Sequence, residues 1–328
     1  MKRILGSTPF KVIISLSLIL LLSYTMRGRY SDIVEALKGT DLKIFSVGVG
    51  LFLVTICVAA YRFLLLAKAQ AGCSIRFADA AALGFIGLFF NNFLPTSVGG
   101  DVAKAYLLSK KTGNTLGSFA AVLVDRFVGL VTMILMACVA LLFINSSIVN
   151  DDIRQMLYIF SIVALIAVLV IMNRFVAGKL AKILRPSNPL TVKLKKAYDA
   201  VHRYRHHRRL MVKSFFISIA SQLLCYTSFG VVALSIGSNL RPLDILLRMP
   251  LVSIMSMLPS VNGLGLREGA TVIFFGSMIG KGHAFAVSIL WLLVLSVTSI
   301  LGGLIYAISP QFHVKLKTLK IKESEIGI

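Results

Sequence analysis

The sequence predicts an all-α polytopic membrane protein with about six full spans, two interrupted, re-entrant helical hairpins and an internal inverted repeat. Three observations predict it. Of 328 residues, 57% are apolar and only 15% charged, against about 45–50% and about 25% in soluble domains, and the mean hydropathy is +0.86. The apolar residues are gathered into runs of the length, roughly 20 residues, that a helix needs to cross a hydrocarbon core about 30 Å thick. The bases are gathered between those runs, 35 Lys and Arg against 13 Asp and Glu, for a net charge of +22. In a soluble protein that excess would suggest nucleic acid. Here membrane topology accounts for it, because cytoplasmic loops are rich in Lys and Arg and face anionic lipid, so no nucleic-acid partner is expected.

Taken in order, the first run is Phe10 to Met26 behind Lys2, Arg3 and Lys11. No small-residue cleavage site follows it, so it reads as an uncleaved anchor with a cytoplasmic N-terminus. Ser31 to Leu37 is short and mixed and suits an interfacial helix. Full spans follow at Leu42 to Ala67, Thr115 to Ile144, Ile153 to Asn173, Leu210 to Ile236 and Ala284 to Ile308. Two further apolar stretches are interrupted: Phe77 to Leu94 stops at Pro95 and a glycine pair, and Ile245 to Leu258 stops at Pro259 and a run of glycines. Both are expected to enter the membrane and turn back, which requires protein or a wet cavity around the non-helical backbone.

Charge sets the orientation. The stretch from Arg174 to Lys213 holds twelve Lys or Arg and the single acid Asp199, which places it in the cytoplasm. The tail, with Lys315, Lys317, Lys320 and Lys322, belongs there too, whereas Asn145 to Asp152 carries two acids and no base and suits the outer side. The chain is therefore read as one integral membrane domain over 1–328. Its first half is 1–150, containing the interrupted segment 77–114. A basic linker, 174–213, leads to a second half, 210–308, containing the interrupted segment 245–281, and residues 309–328 form the tail. The topology closes if one hairpin dips in from the cytoplasm and the other from outside, which makes the two halves inverted copies. The sequences echo each other: Phe93-Leu94-Pro95-Thr96-Ser97-Val98-Gly99-Gly100-Asp101 against Met257-Leu258-Pro259-Ser260-Val261-Asn262-Gly263, with prolines 164 residues apart. Paired interruptions of this kind mark transporter sites at a repeat interface.

An ionisable group at the bilayer centre costs about 2.5–3.5 kcal/mol on insertion scales and is a functional candidate by default. Asp125 and Arg126 lie inside the Thr115 run and point about 100° apart, so each needs a partner elsewhere. Arg267 and Glu268, after the Gly263 and Gly265 turn, pose the same problem, and Asp101 and Lys104 mirror them in the first half. Asn92 and Asn262, beside the turns, complete the candidate binding set, and Pro95, Gly99, Gly100, Pro259, Gly263 and Gly265 are read as the turn formers. A half-helix beginning after a glycine turn offers free N–H groups to an anion such as phosphate, Arg can grip phosphate bidentately, and a carboxylate can carry a proton.

Other chemistries find no support in the residues. The glycines from Gly263 to Gly269 miss the dinucleotide fingerprint by one position, and Gly280-Lys281 is followed by Gly282, so no Walker A loop forms. Cys57, Cys73, Cys138 and Cys225 show no C-x-x-C spacing, and His202, His206, His207, His283 and His313 stand apart from other ligand types. Neither metal nor cofactor is expected.

Three ordered motifs carry a family resemblance: Asn91-Asn92-Phe93-Leu94-Pro95 with Gly99-Gly100-Asp101; Asp125-Arg126-Phe127-Val128-Gly129-Leu130; and Pro259 through Gly269 with Gly263, Gly265 and Glu268. Together they resemble the flippase-like membrane domain of lysylphosphatidylglycerol synthases, from about Phe10 to Ile308. The resemblance implies a multi-pass protein of a bacterial or archaeal cytoplasmic membrane, both termini cytoplasmic, whose relatives move headgroup-modified lipids between leaflets. Two departures stand out. Lys104 occupies a place where the family often has Arg, and the aminoacyltransferase domain of the synthases is missing after Ile308, which argues against lysyl transfer. The expected function is a flippase for an anionic or headgroup-modified lipid, with membrane lipids as its partners. The alternatives are a membrane transferase using Asp101, Asp125 or Glu268 as base, and a non-catalytic partner subunit docking through the basic linker. The run Tyr204-Arg205-His206-His207-Arg208-Arg209 is also expected to meet anionic lipid.

Overall fold

The computed structural model describes residues 30–71, 75–93, 99–143, 207–256 and 263–309, with single positions 155, 158, 159, 162 and 204 between them. The predicted spans at Phe10 to Met26 and Ile153 to Asn173, most of the linker, the tail, and Pro95, Pro259 and Asn262 lie outside the described residues. Every element described is helical: α1 (Tyr30–Lys38), α2 (Leu42–Ala71), α3 (Phe77–Phe93), α4 (Gly99–Thr112), α5 (Thr115–Phe143), α6 (Arg208–Leu234), α7 (Pro242–Ser256), α8 (Leu266–Ile279) and α9 (Lys281–Ile308). Of these, α2, α5, α6 and α9 are long and apolar enough to cross a membrane.

Local chemistry starts and stops these helices. The Asp41 carboxylate caps α2 by accepting from the Lys43 and Ile44 amides at 2.8 and 3.2 Å, and Asn114 does the same for α5 through the Gly117 amide at 2.8 Å. Before α8 the backbone turns at Gly263 and Gly265, both with φ near +80°, a region that glycine enters without steric cost. The short helix α1 buries Ile33 and Ala36 in the main core and packs on α9, so the segment expected at the interface is docked on the bundle.

The hairpins are re-entrant by length and by contact. Helices of 17 and 14 residues (α3, α4) and of 15 and 14 residues (α7, α8) reach only about 21–26 Å at 1.5 Å per residue, short of the core thickness. In the first hairpin Asp79 at the start of α3 is ion-paired with Lys111 at the end of α4, so the chain leaves on the side where it entered. Near the turn, α3 and α4 touch backbone to backbone: a Cβ on Gly100 would strike the Gly87 carbonyl, and the Gly100 amide donates to Asn91 Oδ1 at 2.8 Å. In the second hairpin Gly263 sits against Ser256 near the turn, and Arg248 lies over Phe275 further along.

The two halves repeat one plan. Each runs long helix, short helix, turn, short helix, long helix: α2-α3-α4-α5, then α6-α7-α8-α9, with lengths of 30, 17, 14 and 29 against 27, 15, 14 and 28 residues. Their packing is symmetric: α3 lies on α9 as α7 lies on α5, and α2 meets α5 as α6 meets α9. At the centre the equivalent helices α2 and α6 pack on each other and run antiparallel. The Asp41 amide donates to Ser235 O (2.7 Å), Ser228 Oγ to Gly48 O (2.7 Å) and Ser221 Oγ to Thr55 O (3.4 Å), one register reading backwards along α6, and the long Arg62 donates through Nη1 to Ser218 Oγ (2.6 Å), offset from that register by one turn. Equivalent helices that are antiparallel make the repeat an inverted one. Small residues carry this seam, as they do wherever apolar solvent removes the hydrophobic drive between helices. Beside it Phe52, Phe229, Phe275 and Trp291 stack edge-on and tilted at 5.2–5.6 Å, giving the core its shape-specific contacts.

Candidate functional site

Three helices of the first half bring five charged side chains together. Asp125 lies ten residues into α5, about 15 Å along it and so near half the depth of the apolar core. Its carboxylate accepts from Arg62 Nε of α2 at 2.8 Å and from Lys104 Nζ of α4 at 3.4 Å. Arg62 also donates to Ser218 on α6, which ties the ion pair to the other half of the molecule. The Lys104 ammonium stands 3.5 Å from the centroid of the Phe63 ring, a cation–π contact that replaces part of its lost hydration. Arg126 turns the other way and pairs with Asp101 in the first turn of α4. Asp125 and Arg126 thus find separate partners from separate helices.

Three cations and two carboxylates leave the cluster with one net positive charge. Four of the five side chains are largely covered, whereas Arg126 keeps 52% of its side-chain surface open. The start of α4 adds partial positive charge beside Asp101, because its first amides have no partner within the helix; the Gly100 amide is taken by Asn91. Asn92 sits half-buried in the last turn of α3. Tyr204 of the basic linker closes the near end: buried against Leu66, Val124 and Val128, it donates to Leu66 O at 2.7 Å. Burial, and then the Asp125 carboxylate, raise its phenol above the ordinary value, so it stays a neutral donor.

The second half builds its site differently. Glu268 folds back over the start of α8, accepting from the Gly265 amide at 2.6 Å, as an acidic residue at that place in a capping box does. Arg267 then reaches the other oxygen of the same carboxylate at 2.6 and 3.1 Å. The expectation that these neighbours need separate partners is therefore corrected: a carboxylate drawn back to the helix end leaves the lateral direction that separates adjacent residues, and the long arginine follows it. Both are buried. No ion pair or hydrogen bond among the described residues joins this pair to the Asp125 cluster. Gly99 and Gly100 open α4, and Gly263 and Gly265 form the turn ahead of α8.

All four short helices carry an acid at their third position, Asp79, Asp101, Asp244 and Glu268, and each acid is paired with a base, namely Lys111, Arg126, Arg248 and Arg267. The sequence reading matched Asp101 and Glu268 but passed over Arg62, Asp79 and Arg248, and named Asn91 only within a motif. Arg62 was detectable as the innermost cation of a 30-residue apolar helix, nine residues before its end, with Lys43 and Lys68 close to the two termini. Arg248 is buried at 2% exposure with Asp244 at 3.6 Å and no hydrogen bond to Nη1. Cys57, Cys138 and Cys225 are free thiols, and among the described residues no three His, Cys, Asp or Glu side chains cluster as metal ligands.

Comparison with known proteins places this architecture. The chain is 25% identical over 307 residues to a UPF0104 membrane protein of Methanothermobacter thermautotrophicus, covering 85% of this chain and 87% of that protein. Residues 10–303 match the family model described as the lysylphosphatidylglycerol synthase TM region. With nearly its whole length matched, this multi-pass membrane protein belongs to the lysylphosphatidylglycerol synthase TM region family.

Proposed function

We propose that the protein is not an enzyme but a flippase that carries an anionic or headgroup-modified lipid, a phospholipid or a polyprenyl phosphate, between leaflets of a bacterial or archaeal cytoplasmic membrane. The observation that carries this reading is the net-positive cluster at mid-depth with Arg126 open at its edge. A buried cluster built only for stability gains nothing from a surplus cation facing apolar surroundings. A lipid phosphate supplies the missing charge. Arg126 can hold it with two parallel N–H donors, displacing Asp101, while Lys104 and the first amides of α4 complete the cradle and Asp125 holds Lys104 and Arg62 in place. Asn92 adds a polar contact beside the turn. Arg267, Glu268 and Asn262 serve the equivalent station in the second half, and rocking of one inverted half against the other exposes the lipid to each leaflet in turn. The surplus bases of the linker hold it against anionic lipid on the cytoplasmic side.

The test is translocation of a fluorescently labelled phosphatidylglycerol in proteoliposomes, read by chemical quenching of the outer leaflet. Per molecule of reconstituted protein, Arg126→Ala and Asp125→Asn are expected to slow movement at least about tenfold, the loss of roughly one charge-assisted hydrogen bond; Arg126→Ala should accumulate normally in the membrane, whereas Asp125→Asn, which leaves Arg62 and Lys104 uncompensated, should accumulate less. Wild-type rates in both variants would overturn the site.

A further inference from the structure

Beside the central seam, α2, α3 and α6 leave an open apolar groove of about 360 Å³ lined by Cys57, Val58, Tyr61, Phe77, Ile217 and Ala220. Its lining presents no polar surface. One end, by contrast, is strongly basic. Lys213 lies one turn before Ile217 on the same face of α6, with its Nζ 3.5 Å from the Tyr61 hydroxyl, and Arg209 lies one turn earlier still, also exposed. On α2 the exposed Lys68 continues the face that carries Tyr61, and the exposed Arg76 precedes Phe77. Asp79, the acid nearest in sequence to this rim, is buried and already paired with Lys111.

We propose that this groove binds one anionic glycerophospholipid of the leaflet facing the basic linker, an acyl chain lying along Ile217 and Val58 and the phosphate held by Lys213 and Arg209. The chemistry of the groove follows that of a phospholipid read from tail to head: an open apolar strip, an amphipathic tyrosine at the boundary, then cations without competing acids. A zwitterionic lipid fills the strip equally well but gains less from the rim, where each base near a membrane surface favours an anionic headgroup by about fivefold. The place of the groove gives it a role. Tyr61 and Ile217 line it, while their neighbours Arg62 and Ser218 form the hydrogen bond across the same seam. A lipid held there touches the residues next to that hydrogen bond, the position of an entry station. That role rests on the proposed transport; the binding does not.

The experiment places a fluorophore in the groove as Ile217→Trp in the full chain, reconstituted in bilayers with brominated phosphatidylglycerol or brominated phosphatidylcholine. The native Trp291 is buried in the core, and its constant signal is subtracted from the wild type. Quenching by phosphatidylglycerol is expected at about fivefold lower mole fraction or less, with the preference lost in Lys213→Gln combined with Arg209→Gln while quenching by both lipids persists. Equal quenching by the two lipids with the bases intact overturns the proposal, because the groove then holds bulk lipid. Quenching by neither also overturns it, since another segment, such as Phe10 to Met26, then covers the groove. Selectivity without translocation would refute the flippase reading alone, and translocation without selectivity would refute the groove alone.

Discussion

Asp125 is the residue on which the first half depends, because it is the shared acceptor of Arg62 and Lys104 and thereby links α2, α4 and α5. Removing one member of a buried pair leaves the other charge uncompensated, at a cost of about 3–5 kcal/mol. Arg62→Leu is therefore expected to lower the thermal unfolding midpoint in mild detergent substantially. Arg62→Leu with Asp125→Leu should cost less than the sum of the two single changes, as coupled neighbours do. Strict additivity would mean that the pair contributes little to the fold. At this scale the sequence was partly legible. Asp125 and Arg126 announce themselves as intramembrane charges that cannot satisfy each other, but which cation answers which acid depends on helices distant in sequence. Arg267 and Glu268 show the opposite limit, since a helix end lets adjacent side chains meet.

At the scale of elements, the molecule is assembled through glycines on which helices rest without side chains between them. Gly100 meets the Gly87 carbonyl inside the first hairpin, and Gly302 of α9 meets the Phe85 carbonyl of α3. Both obstacles are backbone, so Gly100→Ala and Gly302→Ala must push whole helices apart and are expected to destabilise by about 1–3 kcal/mol. Gly50, in α2, has open space around its Cβ direction, and Gly50→Ala should be neutral or stabilising by up to about 1 kcal/mol through helix propensity. Thermal unfolding of the three variants decides the matter, and equal effects would contradict the packing described. Of the helix ends, the glycine turns were read from the sequence, whereas the caps at Asp41 and Asn114 came with the structure. The docking of α1 was not legible in the sequence, because a nine-residue helix with a few apolar positions looks the same whether it lies on lipid or on α9.

For the molecule as a whole, the inverted repeat makes a directional prediction. The α4–α5 connection and the α6–α7 connection each lie at the open end of a hairpin, one in each of two halves of opposite sense. Thr115→Cys and Asn239→Cys, both at exposed positions, should therefore react with a membrane-impermeant thiol reagent from opposite faces of intact vesicles. The positive-inside rule assigns Thr115 to the cytoplasmic face. Labelling of both from the same side would break the inversion. The sequence by itself determined the membrane class, the long helices, the two interruptions and their echo, because these follow from hydropathy, backbone chemistry and charge counted along the chain. Only the tertiary structure decided that the hairpins turn back, that α2 and α6 meet antiparallel through Gly48 and Ser228, and that Arg62 rather than Arg126 answers Asp125. Those outcomes rest on distances between segments tens to nearly two hundred residues apart, set by how closely small residues let helices approach, and no local pattern encodes them.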